Sequence, residues 1–212
     1  MIEFAQYLKL LVALLAIVDV VGNIPFFLQR TSHLSVSDRV VVAVTAGVAT
    51  AVILFLFAMF GKSILQAFGI SIAAFKLLGG LVILLIALQM LGLTAPAGGV
   101  SDEERSSGAL HPVSIGMFPM AVPSFAGPGA ISAVMVYAHE GFHSNHDLIV
   151  TLVIAAAAMV VVVGLSIASV LGQFIGPITQ TVINRLLGII VGALGVEFIL
   201  DGIATFFPAL AA

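Results

Sequence analysis

Asp19 and Asn23 stand four residues apart inside an apolar stretch, with Gly22 between them and Pro25 just beyond. At that spacing two helical side chains share one face. A carboxylate beside a carboxamide there can hold a substrate ammonium group or a coupling proton. About half a chain later a second apolar stretch is interrupted, at Pro119-Met120-Ala121-Val122-Pro123-Ser124-Phe125-Ala126-Gly127-Pro128-Gly129-Ala130-Ile131. Here Ala126, Gly127, Pro128 and Gly129 offer almost nothing but backbone. A helix restarting after such a break points N–H groups inward, and these attract a carboxylate or another anion. One break thus suits an amine or a proton and the other a carboxylate, the two ends of a zwitterion. The expected substrate-binding set is Asp19, Gly22, Asn23, Pro25, Ala126, Gly127, Pro128 and Gly129. Glu197 and Asp201 form another i, i+4 pair, able to relay protons or to pair with Lys76 or Arg185. Asp19, Glu197 and Asp201 are therefore the proton-coupling candidates. Lys76 and Arg185 read as residues snorkelling from helix ends, and Gln89 as a helix–helix hydrogen-bonding group.

The elements that position these residues must lie in a membrane. Of the 212 residues 61% are hydrophobic and 8% charged, against roughly a quarter charged in soluble domains. Mean hydropathy is +1.28. Apolar runs of spanning length recur along the chain, which predicts an all-α integral membrane protein and not a barrel. Formal net charge is −3, with no basic stripe, so nucleic acid is excluded as a partner. Cysteine is absent, which removes disulfides and thiolate chemistry. The N-terminus lacks a basic leader and a small-residue cleavage site, and reads as a retained first helix. Asp, Asn, Gly and Pro at mid-span are tolerated only where backbone is buried in protein or lines a watery cavity.

Six spans are expected: Phe4–Leu28, Val40–Phe60, Ala73–Leu93, Val113–Ala138, Leu148–Leu171 and Arg185–Phe206. The polar stretch from Thr94, with Ser101-Asp102-Glu103-Glu104-Arg105, reads as a linker over 94–112. It separates a three-helix half over 1–93 from another over 113–212. Arg30, Arg39, Arg105 and Arg185 on one side against Lys9, Lys62 and Lys76 on the other favour both termini outside. Tyr7 and Tyr137 would then sit at the outer interface.

The halves repeat. Lys76-Leu77-Leu78-Gly79-Gly80 is answered by Arg185-Leu186-Leu187-Gly188-Ile189, 109 residues on (76 to 185). Gly22 and Gly129 are separated by 107 (22 to 129), Val40 and Leu148 by 108 (40 to 148), Gly61 and Gly172 by 111 (61 to 172). Because three spans is an odd number, the second copy enters from the opposite side. Such inverted repeats, with a broken first helix in each, are a transporter architecture.

His139-Glu140-Gly141-Phe142-His143 matches the H-E-x-x-H zinc pattern, and Leu200-Asp201-Gly202 is similar to the ligand-bearing segment of intramembrane site-2 metalloproteases. Gly141 weakens the helix this pattern needs, and the stretch runs into Ser144-Asn145-His146-Asp147 at a span end. A solvated His-rich loop is the expectation, with no metal and no cofactor.

Asp19-Val20-Val21-Gly22-Asn23-Ile24-Pro25-Phe26-Phe27, Phe68-Gly69-Ile70-Ser71, Gly79-Gly80, Pro119, Pro123, Ala126-Gly127-Pro128-Gly129-Ala130-Ile131-Ser132 and Phe198-Ile199-Leu200-Asp201-Gly202-Ile203 together resemble the MarC family over nearly the whole chain. The resemblance implies a six-span carrier, not an enzyme, in bacterial or archaeal inner membranes. It implies small neutral amino acids such as glycine, alanine and serine as substrates, and protons as the coupling ion. This chain has Val20 where the family commonly has Pro, and Gln89 where it often has an acid. A carrier of another small metabolite and a non-transporting membrane scaffold or regulatory protein are the alternatives. A homodimer is compatible with the sequence, though nothing demands it.

Overall fold

A computed structural model describes residues 2–94, 111–139, 146–171 and 177–207. Most of the linker, residues 140–143 of the His-Glu motif and the repeat landmark Gly172 lie outside the described residues. All regular structure among the described residues is helical, without strands: α1 (Ile2–Val18), α2 (Val20–Arg30), α3 (Val36–Ala67), α4 (Ile72–Met90), α5 (Pro112–Ile115), a π-type segment (Gly116–Phe125), α6 (Pro128–His139), α7 (His146–Leu171) and α8 (Pro177–Phe206). Among them five helices have the length and apolarity to cross a membrane: Gln6–Arg30, Val36–Ala67, Ile72–Met90, His146–Val170 and Thr181–Phe206. The expected fourth span, Val113–Ala138, is instead two short apolar pieces around an irregular middle.

Local chemistry sets the ends. Ser35 caps α3, accepting from the Asp38 N–H at 3.2 Å while its hydroxyl donates to the Asp38 carboxylate at 2.7 Å. Ser71 caps α4 through the Ala74 N–H. Helices α3 and α4 stop alike, at glycines with positive φ, Gly69 at 67° and Gly92 at 77°. In each stop the next residue's N–H reaches back five residues, Ile70 to Leu65 at 2.8 Å and Leu93 to Leu88 at 2.9 Å. These are Schellman closures, which occupy carbonyls that the helix end would leave unpaired. Helix α8 starts at Pro177, so Arg185 lies about two turns inside it and not at its start as expected. The helical pattern runs upstream through Ile178 and Val182, which a count of apolar residues from Arg185 misses.

The first span is the central one. Of its apolar window 56% is buried, against 28–39% for the other four. Leu10, Ala13, Leu14, Val18 and Phe27 form its inward face. Outward faces elsewhere carry exposed Val48, Val52, Leu81, Leu152, Met159 and Leu200, as helices solvated by lipid require. Helix α3 packs against α7, and α4 against α8 along most of its length.

Small residues permit this closeness. A Cβ on Gly80 would meet the Gly195 carbonyl oxygen at 2.6 Å, and one on Gly195 would meet the Leu84 nitrogen at 2.8 Å. On α3, a Cβ on Gly47 would collide with Val162 of α7. By contrast a Cβ on Gly192 would meet only the Ala87 Cβ, at 3.4 Å. Gly80→Ala and Gly195→Ala should each lower stability by about 1–3 kcal/mol through overpacking, while Gly192→Ala stays neutral. Thermal unfolding of the detergent-purified variants checks the contrast.

Candidate functional site

The first break falls at Asp19, not at Pro25. Asp19 has φ 43° and ψ 63°, the left-handed region. Few residues other than glycine visit it, and Asp is among those that do. Helix α2 then runs through Pro25 to Arg30 without interruption. By residue type alone Pro25 is the stronger helix breaker, because proline lacks an N–H and crowds the preceding turn. Asp19 takes the break because it can both adopt the turn and cap the restart. Its Oδ1 accepts the Gly22 N–H at 3.0 Å, a donor the break has separated from its helical acceptor.

Asn23 completes the junction. Its Nδ2 donates to the Asp19 carbonyl at 3.0 Å and the Val18 carbonyl at 3.3 Å. The amide nitrogen is thereby committed to backbone, leaving only Oδ1 to offer a substrate. Asp19 is 8% exposed. Gly22 is required by the carboxylate itself, since a Cβ there would overlap Asp19. Val20, the first residue of α2, sits against Gly164 of α7, where a Cβ would come within 2.7 Å.

The second break has a different cause. Phe118 (φ −139°, ψ 125°) and Val122 (φ −122°, ψ 123°) are extended within the π-type segment. Each precedes a proline, whose ring disfavours helical backbone in the residue before it. The Ala126 N–H reaches the Ala121 carbonyl at 2.8 Å, one residue farther than in an α-helix. Helix α6 restarts with Pro128 as its first residue, a position where the missing N–H costs nothing. Its first intrahelical bond runs from Ile131 to Gly127 at 3.0 Å. Ala126, Gly127, Gly129 and Ala130 are all buried.

The two breaks are neighbours. A Cβ on Gly129 would meet Ile17 Cγ2 at 3.2 Å, and Ile83 and Ile86 of α4 at 3.2 and 3.3 Å. Ile17 stands two residues before Asp19, so the start of α6 packs beside the first junction. Among the residues expected to act together, those of the two breaks are brought together. Glu197 and Asp201 are not: both lie on exposed faces of α8.

Two groups hold positions that the sequence does not mark. His146 was expected in a solvated loop, yet it is 4% exposed. Its Nε2 lies 3.0 Å from the Tyr137 carbonyl, which only accepts, so Nε2 carries a proton. In the neutral ring Nδ1 then accepts from the Tyr7 hydroxyl at 2.9 Å. Satisfied on both nitrogens, the ring can be buried, and it ties α1, α6 and α7 together. Tyr7 is correspondingly buried and does not form a lipid-facing belt. The second group is Asn184 on α8, whose Oδ1 lies 3.0 Å from the place a Gly22 Cβ would take. Neither carried a motif; only its start in the unrecognised first turns of α8 would have marked Asn184 as intramembrane.

The profile of the MarC family integral membrane protein matches residues 4–207. The chain belongs to the MarC family. It is 36% identical over 209 residues to the UPF0056 membrane protein YhcE of Escherichia coli (strain K12), covering 98% of this chain and 96% of that one. It is 31% identical over 191 residues to the UPF0056 membrane protein MJ1677 of Methanocaldococcus jannaschii, covering 90% and 92%. The likeness to YvbG of Bacillus subtilis (strain 168) is 28% over 209 residues. Relatives thus occur as membrane proteins in both bacteria and archaea. No solved structure matches.

The junction chemistry makes a stability prediction. Asp19→Asn should keep both the turn and the cap. Asp19→Val loses the cap and forces a β-branched residue into the left-handed region, a cost of about 2–3 kcal/mol. His146→Ala removes the bonds to the Tyr7 hydroxyl and the Tyr137 carbonyl and should cost about 1–3 kcal/mol. Denaturant or thermal unfolding of the three variants in one detergent ranks them.

Proposed function

We propose that this MarC-family protein is a secondary active transporter that moves small neutral amino acids across the inner membrane by alternating access. The observation that carries this reading is the buried carboxylate of Asp19 at a helix break, packed beside the restart of α6. A carboxylate at membrane depth is costly and marks a substrate or ion path. Asp19 offers a binding point for an ammonium group, and the N–H groups at the start of α6 offer one for a carboxylate. Glycine, alanine and serine carry both charges on a small frame.

The architecture we infer has six spans in two inverted halves, 1–93 and 113–212, with 94–112 between them and both termini outside. The fourth span would be the broken pair on either side of the second break. The packing of α3 on α7 and of α4 on α8 supports this, since corresponding helices of two repeats meet about a pseudo-two-fold axis. Rocking one half against the other would then open the breaks to each side in turn. The protein in this reading is no enzyme and needs no cofactor. Its coupling ion is the proton, with Asp19 as the leading carrier; Glu197 and Asp201 are assigned to the proton path secondarily.

Purified protein in liposomes should take up labelled glycine or alanine faster under an imposed proton gradient. Asp19→Asn, which keeps the cap but cannot ionise, should lower the gradient-driven rate at least tenfold. Gly129→Val should block transport by crowding Ile17, Ile83 and Ile86. If wild-type protein neither binds nor moves glycine, alanine or serine, the amino-acid assignment is wrong. Full transport by Asp19→Asn would remove Asp19 from coupling.

A further inference from the structure

Asn184 is held by α8 against the first break. Its Oδ1 is buried and has no hydrogen-bond partner among the described residues. The Asp19 Oδ2 and the Asn184 Oδ1 both lie within 3.0 Å of the single point where a Gly22 Cβ would stand. The two oxygens are therefore no more than two hydrogen-bond lengths apart. Asp19 Oδ1 is already engaged by the Gly22 N–H, and Asn23 spends its amide nitrogen on the backbone of the junction. Two acceptors thus converge beside a residue without a side chain, and the Asn184 Oδ1 meets no donor among the described residues. A buried acceptor left without a donor costs about 1–3 kcal/mol.

We propose that Asn184 and Asp19 are the two ligands of a protonated primary amine, which makes Asn184 a specificity-determining residue from the opposite half of the chain. A single ammonium nitrogen bridging the two oxygens supplies one N–H donor to each. Asn184 also suits the empty state. Without a ligand the amide can turn over, so that Nδ2 instead of Oδ1 faces the Asp19 carboxylate. Arrival of the amine exchanges that contact for two to the ligand. Because Asp19 belongs to the α1–α2 junction and Asn184 to α8, the ligand links the two elements through its nitrogen. This inference rests on reading the Asp19 break as a substrate site, but it commits only to the amine end and not to an amino acid.

The test uses the full chain in detergent, with ligand-induced thermal stabilisation as the readout. Ethylammonium and L-alanine should each raise the unfolding temperature of the wild type. Tetramethylammonium, which has charge but no N–H, and propionate, which has no amine, should give no shift that depends on Asn184. Asn184→Leu should raise the half-saturating concentration of ethylammonium and of alanine at least tenfold, while Asn184→Asp, which keeps the acceptor, retains binding. Asn184→Ala serves in the same role should the leucine variant fail to fold. Unchanged half-saturation in Asn184→Leu or Asn184→Ala overturns the proposal, as does a wild type that ignores ethylammonium. The outcomes separate the two readings. Asn184-dependent binding of ethylammonium without binding or transport of alanine keeps the amine site and removes the amino-acid assignment. Alanine transport that is indifferent to Asn184 does the reverse.

Discussion

Backbone N–H and C=O groups at membrane depth need partners within the protein, because hydrocarbon offers none. Among the described residues, both helix breaks answer to that constraint. Where the first span breaks, the Asp19 carboxylate takes the Gly22 N–H and the Asn23 amide takes two carbonyls. The residues that make the first break chemically interesting are the ones that make it affordable in lipid. Part of Asp19 and most of Asn23 are consumed by structure, and what remains for a ligand is one carboxylate oxygen. The Asn184 Oδ1 lies close to that remainder, across Gly22.

Packing follows from the same solvent. Lipid gives helices no hydrophobic reason to associate, so contact depends on close fit. Gly80 against Gly195, Gly47 against Val162 and Ala158, and Gly164 against Val20 let backbones approach. The first span ends up enclosed by α6, α7 and α8. A polar hub outside the breaks, His146 with Tyr7 and Tyr137, satisfies both ring nitrogens and joins three helices.

Much of this was legible in residues. Composition required helices in a membrane. The prolines at 119, 123 and 128 marked the second break, and the structure bends where X–Pro steric rules require it. The position of the first break was not legible. Pro25 is the strongest local helix breaker in its stretch, yet helix α2 absorbs it, since the left-handed turn at Asp19 lies a turn and a half upstream. The capping bonds that favour Asp19 depend on Gly22 and Asn23 acting together, which a residue-by-residue reading underweights. Asn184 was invisible for another reason. Its link to Gly22 spans most of the chain, and no local pattern encodes it. His146 looked like loop because its partners, Tyr7 and Tyr137, are likewise distant or hidden in a helix end.

The central claim is that the two breaks form one site open to each face of the membrane in turn. The absence of native cysteine allows a direct test by single-cysteine accessibility at Val21→Cys and Ala126→Cys, one per break. Each would be labelled with a membrane-impermeant maleimide in right-side-out and inside-out vesicles, with and without alanine. Both positions should react from both faces, and alanine should slow the reaction. Labelling from one face only, or from neither, would contradict a shared and alternately exposed site.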